Sequence, residues 1–110
     1  MANVIKLVQG DSRPSLVVTL TDKTTGIPLN LTGTSPVLKF REAGMPELTG
    51  IVPGTLVDPA NGVCVFHWSM VPNILDGAPG NYEGEVEIVY DDTTIQTVYE
   101  QLYFYLREQF

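Results

Sequence analysis

The chain has 110 residues, 13 acidic against 6 basic side chains for a formal net charge of -7, and 44% hydrophobic residues. A chain of this length is expected to build one domain over residues 1–110, and its apolar fraction, spread evenly, excludes both an intrinsically disordered chain and a membrane span. One cysteine excludes an internal disulfide and a multi-cysteine zinc site, while six scattered basic residues argue against a nucleic-acid-binding surface.

The first ten residues hold a short apolar stretch interrupted by Lys6, with no cleavage site after it. No targeting segment is therefore expected, and the chain should stay in a cytoplasm or be assembled there into something larger. Leu16, Val18 and Leu20 then alternate with Val17, Thr19 and Thr21, the period of a half-buried strand. Asp22 to Pro28 reads as a hairpin connection, with Gly26 free to take a positive φ. Asn30-Leu31-Thr32 fits a glycosylation triplet, which without a secretion signal is chance. Leu38 and Phe40 alternate with Lys39 and Arg41. Asp58-Pro59-Ala60-Asn61-Gly62 is the strongest turn signal, directly before a strand in which Cys64, Phe66 and Trp68 share a face. Met70 to Leu75 is the best helical candidate, and Pro72 breaks it.

Tyr82, Gly84, Val86, Ile88 and Tyr90 alternate with Glu83, Glu85, Glu87 and Val89. Asp91-Asp92 makes a polar turn. Ile95, Thr97 and Tyr99, then Leu102, Phe104 and Leu106, complete the pattern. Short strands with turns every 8–12 residues and no substantial helix predict an all-β fold, an antiparallel β-sandwich of about seven strands or a small barrel. The antibody-type pair of cysteines around a tryptophan is absent, so from the pattern an immunoglobulin-like assignment rests on strand count alone.

Catalytic chemistry is hard to find. His67 is the only histidine, so any His-based nucleophilic mechanism must pass through it. Cys64 lies three residues away, and side chains three apart on a strand point to opposite faces, which excludes a Cys–His dyad within this segment. No nucleophile elbow surrounds Ser69, and no helix follows Gly77, Gly80 and Gly84 to receive a phosphate. Glu83, Glu85 and Glu87 share one strand face at roughly 6.5–7 Å intervals. They read first as a solvated outer face, then as an interface with a basic partner, and least as a glycosidase pair or calcium site. No catalytic residue, metal site or cofactor is expected.

The C-terminal segment breaks the alternation. Between Tyr99 and Phe110, Leu102, Phe104 and Leu106 line one strand face while Tyr103 and Tyr105 line the other. The tyrosines either cover a neighbouring strand with their hydroxyls in water or form a protein–protein contact. A chain ending in an aromatic strand also has an edge that a partner would protect. Tyr99, Tyr103, Tyr105, Phe110, Glu83, Glu85 and Glu87 are therefore the candidate interface.

Several segments, taken in order, resemble a known family. They are Val8-Gln9-Gly10-Asp11-Ser12-Arg13-Pro14 leading into Leu16 to Asp22, Leu31-Thr32-Gly33, the strand ending Lys39-Phe40-Arg41, Asp58, Asn61-Gly62-Val63, Phe66, Trp68, and Gly80-Asn81-Tyr82-Glu83-Gly84-Glu85-Val86-Glu87. This set resembles the immunoglobulin-like N-terminal domain of the tailed-phage baseplate upper protein family, over nearly the whole chain. The resemblance implies an immunoglobulin-like β-sandwich in which Trp68 and Tyr82 supply large core groups, and no catalytic position. It also implies a structural part of a virion, docking on other virion proteins of the tail, the baseplate or the major capsid shell (as decoration). Symmetric copies, hence a homo-oligomer within the particle, are expected because one small sandwich offers a modest footprint. Nucleic acid and membrane are not expected partners. A carbohydrate-binding adhesion module using Tyr103 and Tyr105 is the alternative, and a small glycosidase using the three glutamates is a third.

Overall fold

The computed structural model describes residues 4–22, 24–98 and 101–110. Eight strands are present among the described residues: β1 (Val4–Val8), β2 (Leu16–Thr19), β3 (Ser35–Glu42), β4 (Gly50–Asp58), β5 (Val63–Phe66), β6 (Gly80–Val89), β7 (Ile95–Thr97) and β8 (Leu102–Arg107). Two single-turn 3₁₀ segments, Pro59–Asn61 and Trp68–Met70, are the only helical elements among the described residues. The fold is all-β and sandwich-like. Its strands run β1-β8-β6-β3-β4-β5-β2 in one curled sheet, with β7 beside β6 beyond the end of β8.

Two strands escape the period-two reading. In β4, Pro53 and Gly54 interrupt the alternation. There the strand leaves β3, its partner over Gly50 to Pro53, and joins β5 from Gly54 onward. A Cβ on Gly54 would lie 2.8 Å from the Phe66 ring and 3.0 Å from the Pro36 carbonyl oxygen. Glycine is thus what lets the chain turn the corner between the two layers. The other strand is β1, whose residues read in sequence only as a short apolar stretch.

The placement of β1 corrects two expectations. It runs parallel to β8, from Val4 opposite Tyr103 to Val8 opposite Arg107, in a sheet otherwise antiparallel. Parallel neighbours need a long connection, and here nearly the whole chain separates them. Consequently β8 is no open edge: β1 covers one side and β6 the other. The protection expected from a partner comes from the chain's own N-terminal strand.

Turn chemistry follows the residues that suggested it. Gly62 ends the first 3₁₀ turn at φ +74°, and a Cβ there would lie 2.4 Å from the Leu20 carbonyl oxygen. No other residue fits that place. The Asp22 carboxylate accepts the backbone N–H groups of Thr24 and Thr25, and the Asp92 carboxylate accepts that of Thr94.

The core sits between the layers and centres on Phe40. Its ring stacks on Tyr82 with centroids 4.9 Å apart and 4° between planes, and meets Trp68 and Phe104 edge-on at 5.3 and 5.2 Å. Leu38, Val52, Cys64, Phe66, Ile88 and Leu106 complete it with no exposed surface. Trp68 and Tyr82 are both buried, as the sequence suggested, although Trp68 enters from a 3₁₀ turn because β5 ends at Phe66.

Candidate functional site

Strand register decides which predicted interface residues share a surface. Glu83 lies opposite Arg41 of β3 on one side and Tyr103 of β8 on the other. Tyr103 in turn lies opposite Val4, and Tyr105 lies between Asn81 and Lys6. Glu85 lies opposite Lys39, which lies opposite Ile51 of β4. Side chains at spacing two keep one face, so the outer side of the β1-β8-β6-β3 sheet gathers Tyr103, Tyr105, Glu83, Glu85 and Glu87. With them stand Val4, Lys6, Arg107, Lys39, Arg41 and Ile51. Tyr103 and Tyr105 are 39% and 46% exposed, and Val4 and Ile51 about as much, so the face mixes apolar and charged groups.

The glutamate ladder does not stand alone in water. Arg41 places Nε and Nη2 at 2.8 and 2.7 Å from Oε1 of Glu83, and Lys39 Nζ lies 2.7 Å from Oε2 of Glu87. Two basic residues at spacing two on β3 thus interleave with three acidic ones on β6. The Glu87 hydrogen bond is the main reason the Lys39 ammonium titrates above its ordinary range. Burial opposes the rise, and the charges of Glu87 and Glu85 add smaller contributions to it. The adjacent strand β3 thus supplies basic partners for Glu83 and Glu87.

Phe110 projects fully into solvent beyond β8, and the Arg107 guanidinium lies 5.0 Å from its ring centre. This lone aromatic group at the strand's end joins the face only through Arg107. Tyr99 lies outside the described residues.

Cys64 of β5 and His67, which follows the end of that strand, have different surroundings. Cys64 is fully buried, and burial pushes its thiol up to about 11. A thiol so protonated is a poor nucleophile at neutral pH. His67 is half-buried and shares a hydrogen bond with Ser15, Nδ1 to Oγ 2.6 Å, which ties the entry of β2 to the exit of β5. Among the described residues, no group of three or more His, Cys, Asp and Glu side chains converges to hold a metal ion.

A cleft of about 350 Å³ lies where β2 faces the β7–β8 side of the other layer. Val18, Leu20, Leu29, Val86, Val98 and Leu102 form its apolar lining, and Thr21, Asp22, Gln96 and Thr97 contribute polar groups. None of the predicted interface residues lines it. No local sequence pattern marks it, because its walls come from opposite layers that only the curl of the sheet brings together.

No protein-family model matches the chain, and no curated protein matches it. Solved structures do. One is described as the N-terminal domain of phage TP901-1 ORF48, with a TM-score of 0.65 and 14% identity over 98% of this chain and 86% of that one. Another is CopC from Methylosinus trichosporium OB3b, with a TM-score of 0.51 and 11% identity over 96% and 87% of the two chains. At such identities the likeness is one of fold.

Proposed function

We propose that the chain is a small assembly module of a phage particle. It docks in multiple copies on other virion proteins of the tail or baseplate, or on the head as decoration, and acts by binding rather than catalysis. The observation that carries this reading is the likeness to a phage protein's N-terminal domain over 98% of the chain. The ordered sequence segments that resemble the baseplate upper protein family point the same way. The outer sheet face gives the module a surface to work with, since Tyr is enriched at interface cores and costs little rotamer entropy on immobilisation.

Purified virions separated into heads and tails, with this polypeptide quantified in each fraction by mass spectrometry, test the reading. Enrichment in tails supports the baseplate or tail role, and enrichment in heads supports decoration. Absence from both fractions overturns the particle reading. A glycan-adhesion role is the second reading, favoured by the neighbouring exposed Tyr103 and Tyr105. A glycan array without signal at millimolar sugar rules it out.

A further inference from the structure

The distribution of charge over the fold is uneven in a way the sequence order conceals. Among the described residues, Lys6, Lys39, Arg41 and Arg107 are four of the five basic side chains, and all stand on the outer face of the β1-β8-β6-β3 sheet. Only three of the twelve described acidic residues, Glu83, Glu85 and Glu87, share it. Four positive and three negative charges give the face a net +1. The remaining nine acidic residues and Arg13 give the rest of the described chain -8.

Lys39 and Arg41 are engaged by Glu87 and Glu83. Lys6, exposed, and Arg107 flank Tyr105 at the β1–β8 side, beside Tyr103 and Val4. The sandwich end where β6 turns into β7 has the opposite character. Asp91 and Asp92 occupy that turn, Asp58 closes β4 there, and Asp22 follows β2, all four exposed. Lys23 follows Asp22 in the sequence, so the four aspartates and this lysine sum to -3.

We propose that copies of this chain dock head to tail. The Lys6–Tyr103–Tyr105–Arg107 face of one copy receives the Asp22–Asp58–Asp91–Asp92 end of the next. The charge complementarity of the two surfaces argues for a second copy as occupant, and the exposed tyrosines supply the apolar contact that charge alone lacks. Two unlike surfaces in contact make a heterologous interface, which closes into a ring or continues as a filament. The inference rests on the charge layout and stands independently of the particle reading, since it concerns the purified chain alone.

Sedimentation velocity on the purified chain, over a range of concentrations, tests it. Self-association is expected at low salt, weakening about tenfold or more as added salt shortens the Debye length from about 10 Å to about 3 Å. Two variants isolate the contact, each leaving the other surface intact: Lys6→Glu with Arg107→Glu reverses the face, and Asp91→Lys with Asp92→Asn removes most of the negative charge of the end. Asparagine keeps an acceptor oxygen for the Thr94 N–H that Asp92 now holds, so the turn survives. Each variant alone should be monomeric with an unchanged circular dichroism spectrum, and mixing the two should restore association. A wild-type chain monomeric at high micromolar concentration in low salt overturns the proposal. So does an association that ignores salt, or a mixture of folded variants that stays monomeric.

Discussion

The two faces of the β1-β8-β6-β3 sheet are made by the same strands and obey different rules. On the inner face, Tyr82, Gly84, Val86 and Ile88 of β6 meet Phe104 and Leu106 of β8 and Leu38 and Phe40 of β3. Each of these side chains is constrained by its neighbours' shapes. A Cβ on Gly84, for example, would lie 2.9 Å from the Phe104 ring and 3.0 Å from the Leu38 methyl. On the outer face the constraint is charge: three glutamates interleave with a lysine and an arginine, while two tyrosines of the neighbouring strand stand exposed. The inner face therefore sets stability, and the outer face is free to serve recognition. Substitutions on the two should separate cleanly.

Phe40→Ala should have the largest effect. It removes the ring that three other aromatic groups touch, and should cost about 4 kcal/mol in urea or thermal unfolding. A loss below that of an ordinary surface substitution would mean that the stacking is not what holds the layers together. Tyr82→Phe is milder, because the ring stays and only the hydrogen bond from Oη to the Ala78 carbonyl, 2.7 Å, is lost. About 1 kcal/mol is expected in the same assay.

On the outer face, a double-mutant cycle of Arg41→Ala and Glu83→Ala should return a coupling of at most about 1 kcal/mol, as partly exposed ion pairs do. The Lys39–Glu87 pair adds a pH dependence of defined sign. Its hydrogen bond raises the folded-state pKa of Lys39 above the ordinary 10.5. The stabilisation is then complete below that value and is lost as pH rises through the folded pKa. Lys39→Met should flatten the alkaline limb of an unfolding profile measured above about pH 10.

How much of this was legible in the sequence follows from the range of the interactions involved. The alternation in β6 and β8 already separates Glu83, Glu85 and Glu87 from Tyr82, Val86 and Ile88, because strand period is local. Asn61-Gly62 announces its turn for the same reason. The strand β4 stays hidden behind Pro53 and Gly54, the two residues that let it change layers. The pairing of β1 with β8 joins the two ends of the chain, and no local pattern encodes it. The outer face needed the register as well. Lys39 and Arg41 have the same spacing as the glutamates, a matching signal once β3 and β6 are neighbours. Arg107 shares the face of Tyr105 by strand period alone, whereas the placement of Lys6 beside it depends on the parallel pair.

On the proposed reading, Tyr103 and Tyr105 on the outer face of the β1-β8-β6-β3 sheet serve docking and contribute little to stability. Tyr103→Ala with Tyr105→Ala tests it directly, in a phage assembly assay where the variant competes with the wild-type chain and particle incorporation is measured by mass spectrometry. A thermal midpoint close to wild type is expected, since both side chains are exposed and contribute within about 0.5 kcal/mol each, together with incorporation reduced at least about tenfold. Incorporation equal to wild type by a folded variant would contradict it, and would move attention to the cleft between β2 and the β7–β8 side.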